Sequence, residues 1–266
     1  MTSAAAQFVS ARSDGRALSG FPGVLPGSLE EAYAVQDEVL RLTTRRLGGW
    51  KVAMIPPAFH ARYSAERLVG PVFADLVQTV TDGGAVDALI FEGGFAAVEA
   101  EFVVRVTGEP PSDPQDWLGD VGAFATLHVG SEIASSPLAT INQLGPGAVI
   151  SDHGNNAGAI VGPRIEPGQM RDWSTLASAT RVEGVPVGEG SAARVPGGPF
   201  AAVAFLARQL AGRGRSLAKG DVVLTGMTTG VHDVLPGQTA RLEFEGVGSF
   251  DIRFAAYPHR RRAAAS

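Results

Sequence analysis

Glu99 and Glu101, in Ala97-Val98-Glu99-Ala100-Glu101-Phe102-Val103-Val104, are the pair whose spacing speaks most directly of chemistry. A two-residue repeat puts Ala96, Val98, Ala100, Phe102, Val104 and Val106 on one side of a strand and both carboxylates on the other. Strand rise separates the two backbones by about 7 Å, a gap that long Glu side chains can close around one hard cation. The same pattern also suits a solvated outer face, but Ala97 and Val103 share the glutamate side, which is therefore not simply polar. A divalent ion needs more oxygen, from further Asp or Glu residues, with His also possible. Glu132 stands in the almost uncharged stretch His128–Pro137, where it is either a ligand or an ordinary structural or exposed glutamate. Three glutamates brought together repel by roughly 4 kcal/mol per pair at ~4 Å and an effective dielectric of ~20, so such a cluster requires a bound cation or raised pKa values.

Two more charged residues sit among hydrophobes. Lys51, in Gly49-Trp50-Lys51-Val52-Ala53-Met54-Ile55, is either a side chain snorkelling from a sheet edge or a buried cation in need of a carboxylate. Asp75, in Val72-Phe73-Ala74-Asp75-Leu76, is either a turn or cap residue or a group that titrates abnormally in an enclosed site. The chain has no cysteine, which removes disulfides, thiolate nucleophiles and Cys-based zinc or iron–sulfur centres and leaves oxygen and imidazole ligands. Gly188-Glu189-Gly190-Ser191-Ala192-Ala193 mimics a dinucleotide fingerprint, but Pro196-Gly197-Gly198 interrupts the helix that would receive the pyrophosphate.

The elements that must position these groups follow from periodicity. Ser28-Leu29-Glu30-Glu31 has capping-box form and opens a helix whose apolar face runs through Leu29, Ala32, Tyr33, Gln36, Val39, Leu40, Thr43 and Leu47 to Gly48-Gly49. Strand-like runs are predicted at Trp50–Ile55, Ala96–Val106, Val149–Ser151, Ile160–Ile165, Val222–Thr225, Ala240–Glu245 and Phe250–Phe254, the last two forming a hairpin with one buried face. Helices are predicted over Trp117–Leu127, just before the Glu132 stretch, and over Pro199–Leu210. The expected organisation is an N-terminal helical arm over 1–48, a mixed-β catalytic core over 49–258 and a flexible tail over 259–266.

Composition sets outer limits. The 266 residues carry a formal charge of −5, so no general basic surface is available for nucleic acid or anionic lipid. Hydrophobic residues make up 45%, which supports a packed core. The 34 glycines, roughly twice ordinary usage, imply many turns. No run reaches the ~18 apolar residues of a membrane span and no secretory leader is evident, so a cytoplasmic location is expected.

The ordered motifs Ser28–Gln36, Gly49-Trp50-Lys51-Val52, Phe73-Ala74-Asp75, Glu99-Ala100-Glu101, Glu132-Ile133, Ser151-Asp152, Lys219–Gly226, Pro236-Gly237 and Glu245–Ser249 resemble the 2-keto-4-pentenoate hydratase and 4-oxalocrotonate decarboxylase branch of the fumarylacetoacetate hydrolase superfamily. The resemblance spans residues 28–254. It implies an α+β fold, a mixed-β roll or distorted barrel with flanking helices, and Mg²⁺ or Mn²⁺ held by Glu99, Glu101 and Glu132. It implies catalytic roles for Lys51, which would neutralise a substrate carboxylate or relay a proton, and for Asp75, which would assist ketonisation or activate water. Thr225 and Gly226 match a Thr-Gly at a strand end whose loop faces the substrate. His153, Asn155 and His232, in loops where this sequence departs from the family pattern, are candidate substrate contacts. After Glu132, Ile-Ala-Ser-Ser-Pro replaces the family's Ser-Arg-containing stretch, which bears on substrate identity more than on the metal.

The implied reaction is addition of water to 2-hydroxypenta-2,4-dienoate or a related 2-oxo or 2-hydroxydienoic acid, giving a 4-hydroxy-2-oxo acid, by a homo-oligomeric enzyme. Three alternatives share the scaffold: a 2-oxo acid decarboxylase, an acylpyruvase-type C–C bond hydrolase using His60 and Glu66 as a lid dyad, and a catalytically silent partner subunit.

Overall fold

The computed structural model describes residues 2–119 and 121–258; the tail expected at 259–266 lies outside the described residues. Two helices come first, α1 (Ala4–Asp14) and α2 (Leu29–Leu42). Ser28 Oγ caps α2 by accepting from Glu31 N at 3.1 Å, while the Glu31 carboxylate accepts from Gly27 N, one residue before the cap. The helix ends at Leu42 rather than running to Leu47, because extended Thr43 stops it and Leu47 already opens a strand.

The strands are β1 (Leu47–Met54), β2 (Arg67–Phe73), β3 (Val77–Thr79), β4 (Ala85–Ile90), β5 (Phe95–Val106), β6 (Ala125–Ser136), β7 (Asn156–Arg164), β8 (Ala177–Val182), β9 (Val185–Ser191), β10 (Val222–Met227), β11 (His232–Asp233), β12 (Thr239–Phe244) and β13 (Gly248–Ala256). Between them lie the short helices α3 (His60–Tyr63), α4 (Ile141–Leu144) and α5 (Pro146–Ser151), and the longer α6 (Pro199–Ala211). The larger sheet has the order β2-β1-β10-β5-β6-β7-β3, with β11 continuing along β5; the smaller has the order β4-β13-β12-β8-β9. Because β2, at one edge of the larger sheet, also approaches β7 near the other, that sheet curls into a half-barrel. Parallel pairs β1/β10, β3/β7 and β4/β13 make both sheets mixed.

Two expected elements differ. The predicted helix over Trp117–Leu127 is a short 3₁₀ turn, Pro114–Leu118, after which β6 begins at Ala125. Pro114 and the Asp113 cap start the turn, Gly119 ends it, and alternation from Ala125 onward suits a strand. Glu132 is therefore a strand residue and does not follow a helix. Val149–Ser151, predicted as a strand, belongs to α5, started by Pro146 at its first position.

Side-chain alternation divides the larger sheet cleanly. Trp50, Val52, Val98, Ala100, Phe102, Val104, Val129, Ile133 and Val223 point outward into a core shared with the smaller sheet and α6. The inner face of the curl carries Val72, Val103, Ala159, Val161, Val222 and Leu224 as an apolar floor, and on that same face of their strands stand Lys51, Glu99, Glu101 and Glu132. A third cluster, Phe8, Ala32, Ile55, Leu68, Ile141 and Val149 among them, ties α1 and α2 to the α4–α5 segment beside the open side of the curl. Two glycines permit close approaches beside the inner face: a Cβ on Gly49 would lie 1.9 Å from the Val222 carbonyl of β10, and one on Gly70 would lie 2.4 Å from the His153 carbonyl.

Candidate metal centre and cavity

Register assembles the carboxylates. In the antiparallel β5–β6 pair, Glu99 stands directly opposite Glu132, and Glu101 lies two residues along β5 on the same face. One carboxylate oxygen from each of the three lies within 4.8 Å of the others, and all three residues are buried. On the far side of β10, β1 places Lys51 opposite Leu224, and its Nζ reaches Glu132 Oε2 at 3.1 Å. Lys51 is 3% exposed, so it is a buried cation with a carboxylate partner and not an edge snorkeller.

Neighbouring backbone irregularity supplies the remaining contacts. Between Leu224 and Met227, β10 advances three residues while β5 advances two, from Val103 to Glu101, a bulge that lifts Thr225 and Gly226 out of regular pairing. The freed Gly226 N–H donates to Glu101 Oε2 at 2.8 Å, and the Thr225 hydroxyl donates to the Phe102 carbonyl at 2.8 Å. Asn156 Nδ2 donates to Glu132 Oε1 at 2.9 Å. Glu101 Oε1, buried, has no hydrogen-bond partner. Three carboxylates facing one ammonium leave an excess of two negative charges when all are ionised. An orphaned carboxylate oxygen, an all-oxygen donor set and that charge deficit fit a hard divalent cation.

Without a cation the protons must compensate. Burial first, and then Glu132, push Glu99 up to about 8 against the opposing pull of Lys51. Burial, Glu132 and Glu99 hold Glu101 well above the carboxylate range. Burial works against the charge on Lys51, but Glu132, Glu99 and Glu101 outweigh it and raise its pKa. The sign for stability follows. Between the unfolded value of Glu99 and about 8, the native state holds a proton that the unfolded chain has lost, so the metal-free protein loses stability as pH rises through this window. A cation needs the ionised carboxylates, so its stabilising effect grows over the same window. Thermal melts with and without Mg²⁺ are expected to show a Mg²⁺-induced increase in Tm that enlarges from about pH 6 to about pH 9. A shift that shrinks with pH would contradict the assignment.

Lys51 and Glu99 bring the cluster to the wall of a cavity of about 510 Å³, lined also by Asn155, Thr225 and Gly226, and by Met54, Phe59, Arg67, Asn142, Val149, Arg194 and Val231 among others. Asn155 Nδ2 donates to Asn142 Oδ1 at 3.2 Å, and Asn155 Oδ1 is buried without a partner. His153, Gly154 and Asn155 all have positive φ, at 57°, 68° and 62°, a strained run on the rim of the site.

Five expected residues lie elsewhere. Asp75 sits in the 3₁₀ turn Ala74–Leu76, which turns its side chain outward to pair with Arg45 at 2.8 Å, and it does not line the cavity. His153 points inward from its strained loop, edge-on to Phe73 with ring centroids 5.0 Å apart. Neither of its ring nitrogens has a partner, and burial together with Arg12 and Arg45 keeps it neutral, well below the usual His range. It is a packing residue and lines no part of the cavity. His232 bonds Thr229 Oγ1 at 3.2 Å and lies behind Gly230 and Val231, which do line the cavity. His60 and Glu66 form no lid dyad: His60 Nε2 contacts the Ile55 carbonyl at 2.7 Å, Glu66 is exposed, and neither reaches the cavity.

Sequence reasoning missed Arg67 and Arg194 in the cavity wall, and Asn156 behind Glu132. It also missed Arg12, buried at 6% side-chain exposure, which reaches from α1 to clasp Asp152. Arg12 Nε and Nη2 donate to the two Asp152 oxygens at 2.5 and 2.9 Å, and Nη1 donates to the Asn156 carbonyl at 2.9 Å. Ser136 Oγ completes the Asp152 shell at 2.6 Å. The signal was present: Ser3 caps a helix whose positions Ala5, Phe8 and Ala11 recur at helical spacing.

The family model described as fumarylacetoacetate (FAA) hydrolase C-terminal matches residues 139–255. A curated relative, 4-oxalocrotonate decarboxylase of Pseudomonas putida, is 30% identical over 84% of each chain. 2-Oxo-hept-4-ene-1,7-dioate hydratase of Escherichia coli is 29% identical over 85% of this chain and 87% of its own. Among solved structures, 4-oxalocrotonate decarboxylase from Pseudomonas putida G7, complexed with calcium and acetate, superposes with a TM-score of 0.74 at 27% identity, covering 94% of this chain and 95% of that one. The curled mixed sheet, its order of motifs and this extent of similarity agree, and the chain belongs to the fumarylacetoacetate hydrolase family, in the branch of the hydratases and 4-oxalocrotonate decarboxylases.

Proposed function

We propose that the protein is a metal-dependent lyase that adds water to a 2-hydroxydienoic acid, 2-hydroxypenta-2,4-dienoate or a relative of it, to give a 4-hydroxy-2-oxo acid. Glu99, Glu101 and Glu132 are its ligands for Mg²⁺ or Mn²⁺. The observation that carries this reading is the convergence of three buried carboxylates and one ammonium beside a cavity sized for a small molecule, with Lys51 and Glu99 in its wall. When bound, a divalent cation supplies a positive centre for the carboxylate and 2-oxygen of such an acid and for the enolate charge that develops as protons move.

The chain's own groups set the rest of the chemistry. Lys51 lines the cavity and stays charged against Glu132, so it can neutralise the substrate carboxylate or pass a proton. With Asp75 outside the cavity, the proton transfer that accompanies ketonisation and the activation of water fall to Lys51 and Glu99, the titratable pair that faces the substrate space beside the cluster. Gly226 N–H fixes Glu101, Asn156 fixes Glu132, and Asn155 Oδ1 and the lone pairs of the Thr225 hydroxyl offer polar contacts above them. Decarboxylation is the second reading, favoured by the 30% identical decarboxylase, because departure of CO₂ develops the same enolate charge.

Ultraviolet monitoring of 2-hydroxypenta-2,4-dienoate and of a 4-oxalocrotonate-type diacid, with CO₂ assayed in parallel, separates these readings. Loss of the dienol absorbance that requires Mg²⁺ or Mn²⁺ and releases no CO₂ is expected. Stoichiometric CO₂ selects the decarboxylase, and metal-independent turnover overturns both.

A further inference from the structure

Among the described residues no strand of the smaller sheet lines the cavity, yet hydroxyls tie that sheet to the glutamate centre. Of the four β5 carbonyls from Glu99 to Phe102, three accept a buried side-chain hydroxyl: Glu99 from Ser131 at 2.9 Å, Ala100 from Thr228 at 2.9 Å and Phe102 from Thr225 at 2.8 Å. Ser131 belongs to the neighbouring strand β6 and Thr225 to the β10 bulge. Thr228 follows that bulge, and its backbone N–H donates to the same Ala100 carbonyl at 2.8 Å. A carbonyl has two lone pairs, so this one residue fills both at Ala100. The Thr228 hydroxyl has a single proton and directs it there, so in its 2.7 Å contact with Ser178 Oγ of β8 the serine is the donor. One residue on, Thr229 Oγ1 meets Thr180 Oγ1, also of β8, at 2.8 Å.

The hydroxyl chain from Ser178 through Thr228 thus crosses from one sheet to the other and ends on the peptide that joins Ala100 to Glu101. The loop it holds also presents Gly226 N–H to the Glu101 carboxylate at 2.8 Å and places Gly226, Met227, Gly230 and Val231 in the cavity wall. Thr228 therefore restrains Glu101 from both ends, through its backbone and through its carboxylate. Such restraint matters where three carboxylates converge, because their mutual repulsion favours any backbone movement that spreads them. We propose that Thr228, supported by Ser178, is a positioning residue that keeps the glutamates gathered for a cation before one arrives. This rests on the reading above, in which Glu99, Glu101 and Glu132 bind the metal. A preset donor cage takes its ion without first reordering the protein, and groups that only orient the ligands commonly change metal affinity by about ten- to a hundredfold.

The test is calorimetric titration of the full-length protein with Mg²⁺, well below the Tm of each variant, so that a loss of stability alone leaves the affinity of the folded protein unchanged. T228V keeps the branched shape without the hydroxyl and is expected to weaken Mg²⁺ binding by at least about tenfold. T228S restores the hydroxyl and should stay within about twofold of wild type. S178A should weaken binding by about three- to tenfold, and because Ser178 acts through Thr228, the double variant T228V/S178A should bind no more weakly than T228V. Wild-type affinity in T228V, an equal loss in T228S, or a further loss in the double variant overturns the proposal. Where T228V does not fold, S178A decides, and wild-type affinity there overturns it. Absence of Mg²⁺ binding in the wild type overturns instead the reading of the glutamate centre, and the positioning role with it.

Discussion

Glu101→Gln is expected to lower metal-dependent turnover by at least about 10³-fold, roughly 4 kcal/mol of transition-state stabilisation, while making the metal-free protein more stable. The two effects share one cause. Glu101 is fully buried, faces Glu132 and Glu99, and has an oxygen with no donor, an arrangement that disfavours the ionised form unless a cation is present. Glutamine preserves the side-chain shape, and its amide oxygen can keep the 2.8 Å bond from Gly226 N–H. It removes the charge a cation requires and the free-energy penalty of holding a proton on a carboxyl at neutral pH. Initial rates, Mg²⁺ titration and melts near pH 8 should therefore move in opposite directions: turnover and Mg²⁺ affinity fall, and the Tm of the metal-free form rises. Turnover within about tenfold of wild type would remove Glu101 from the centre.

Arg12→Met is expected to destabilise the protein by about 3–5 kcal/mol, because it strands a fully buried carboxylate whose other partner is a hydroxyl. At roughly 2–4 °C per kcal/mol for a chain of this size, Tm should fall by about 6–20 °C. The double variant R12M/D152N removes the stranded charge as well and should recover a substantial part of that loss, which a differential scanning calorimeter can read directly. No recovery would mean that Arg12 acts through α1 packing rather than through Asp152. Activity should fall beyond what stability explains, since Arg12 also holds the Asn156 carbonyl, and Asn156 orients Glu132.

The contrast between Glu101 and Arg12 shows what the sequence could disclose. The E-x-E pair was readable because a period of two fixes which side chains share a face, and the Ser28 cap, the Pro199 helix and the last hairpin were readable because their signals are local. Glu132 could be read from its own surroundings as a ligand or an ordinary glutamate, and only the family resemblance favoured the ligand. Its position opposite Glu99 depends on a pairing register between distant segments, and the apparent helix before it obscured the strand. Arg12 stands on a helix whose apolar spacing was legible, but it clasps a residue 140 positions away, and Arg67 and Arg194 come to one cavity from a strand start and a 3₁₀ turn far apart in the chain, pairings that leave no periodic trace. Asp75 failed for a related reason: an acidic residue among hydrophobes is ambiguous until the turn that carries it has a direction, and this turn points outward to Arg45.

The cross-strand pairing of Glu99 with Glu132 also separates two kinds of evolutionary change. Inserting or deleting one residue within β5 or β6 would send one glutamate to the opposite face and dismantle the centre at a stroke. The segments that supply the rest of the cavity wall, around Phe59, Arg194 and Val231, lie outside those strands and can lengthen, shorten or exchange side chains without moving a carboxylate. A lineage built this way keeps its reaction chemistry in a rigid inheritance and its choice of acid in an editable margin, so new substrates can be sampled without losing the capacity to act on any of them.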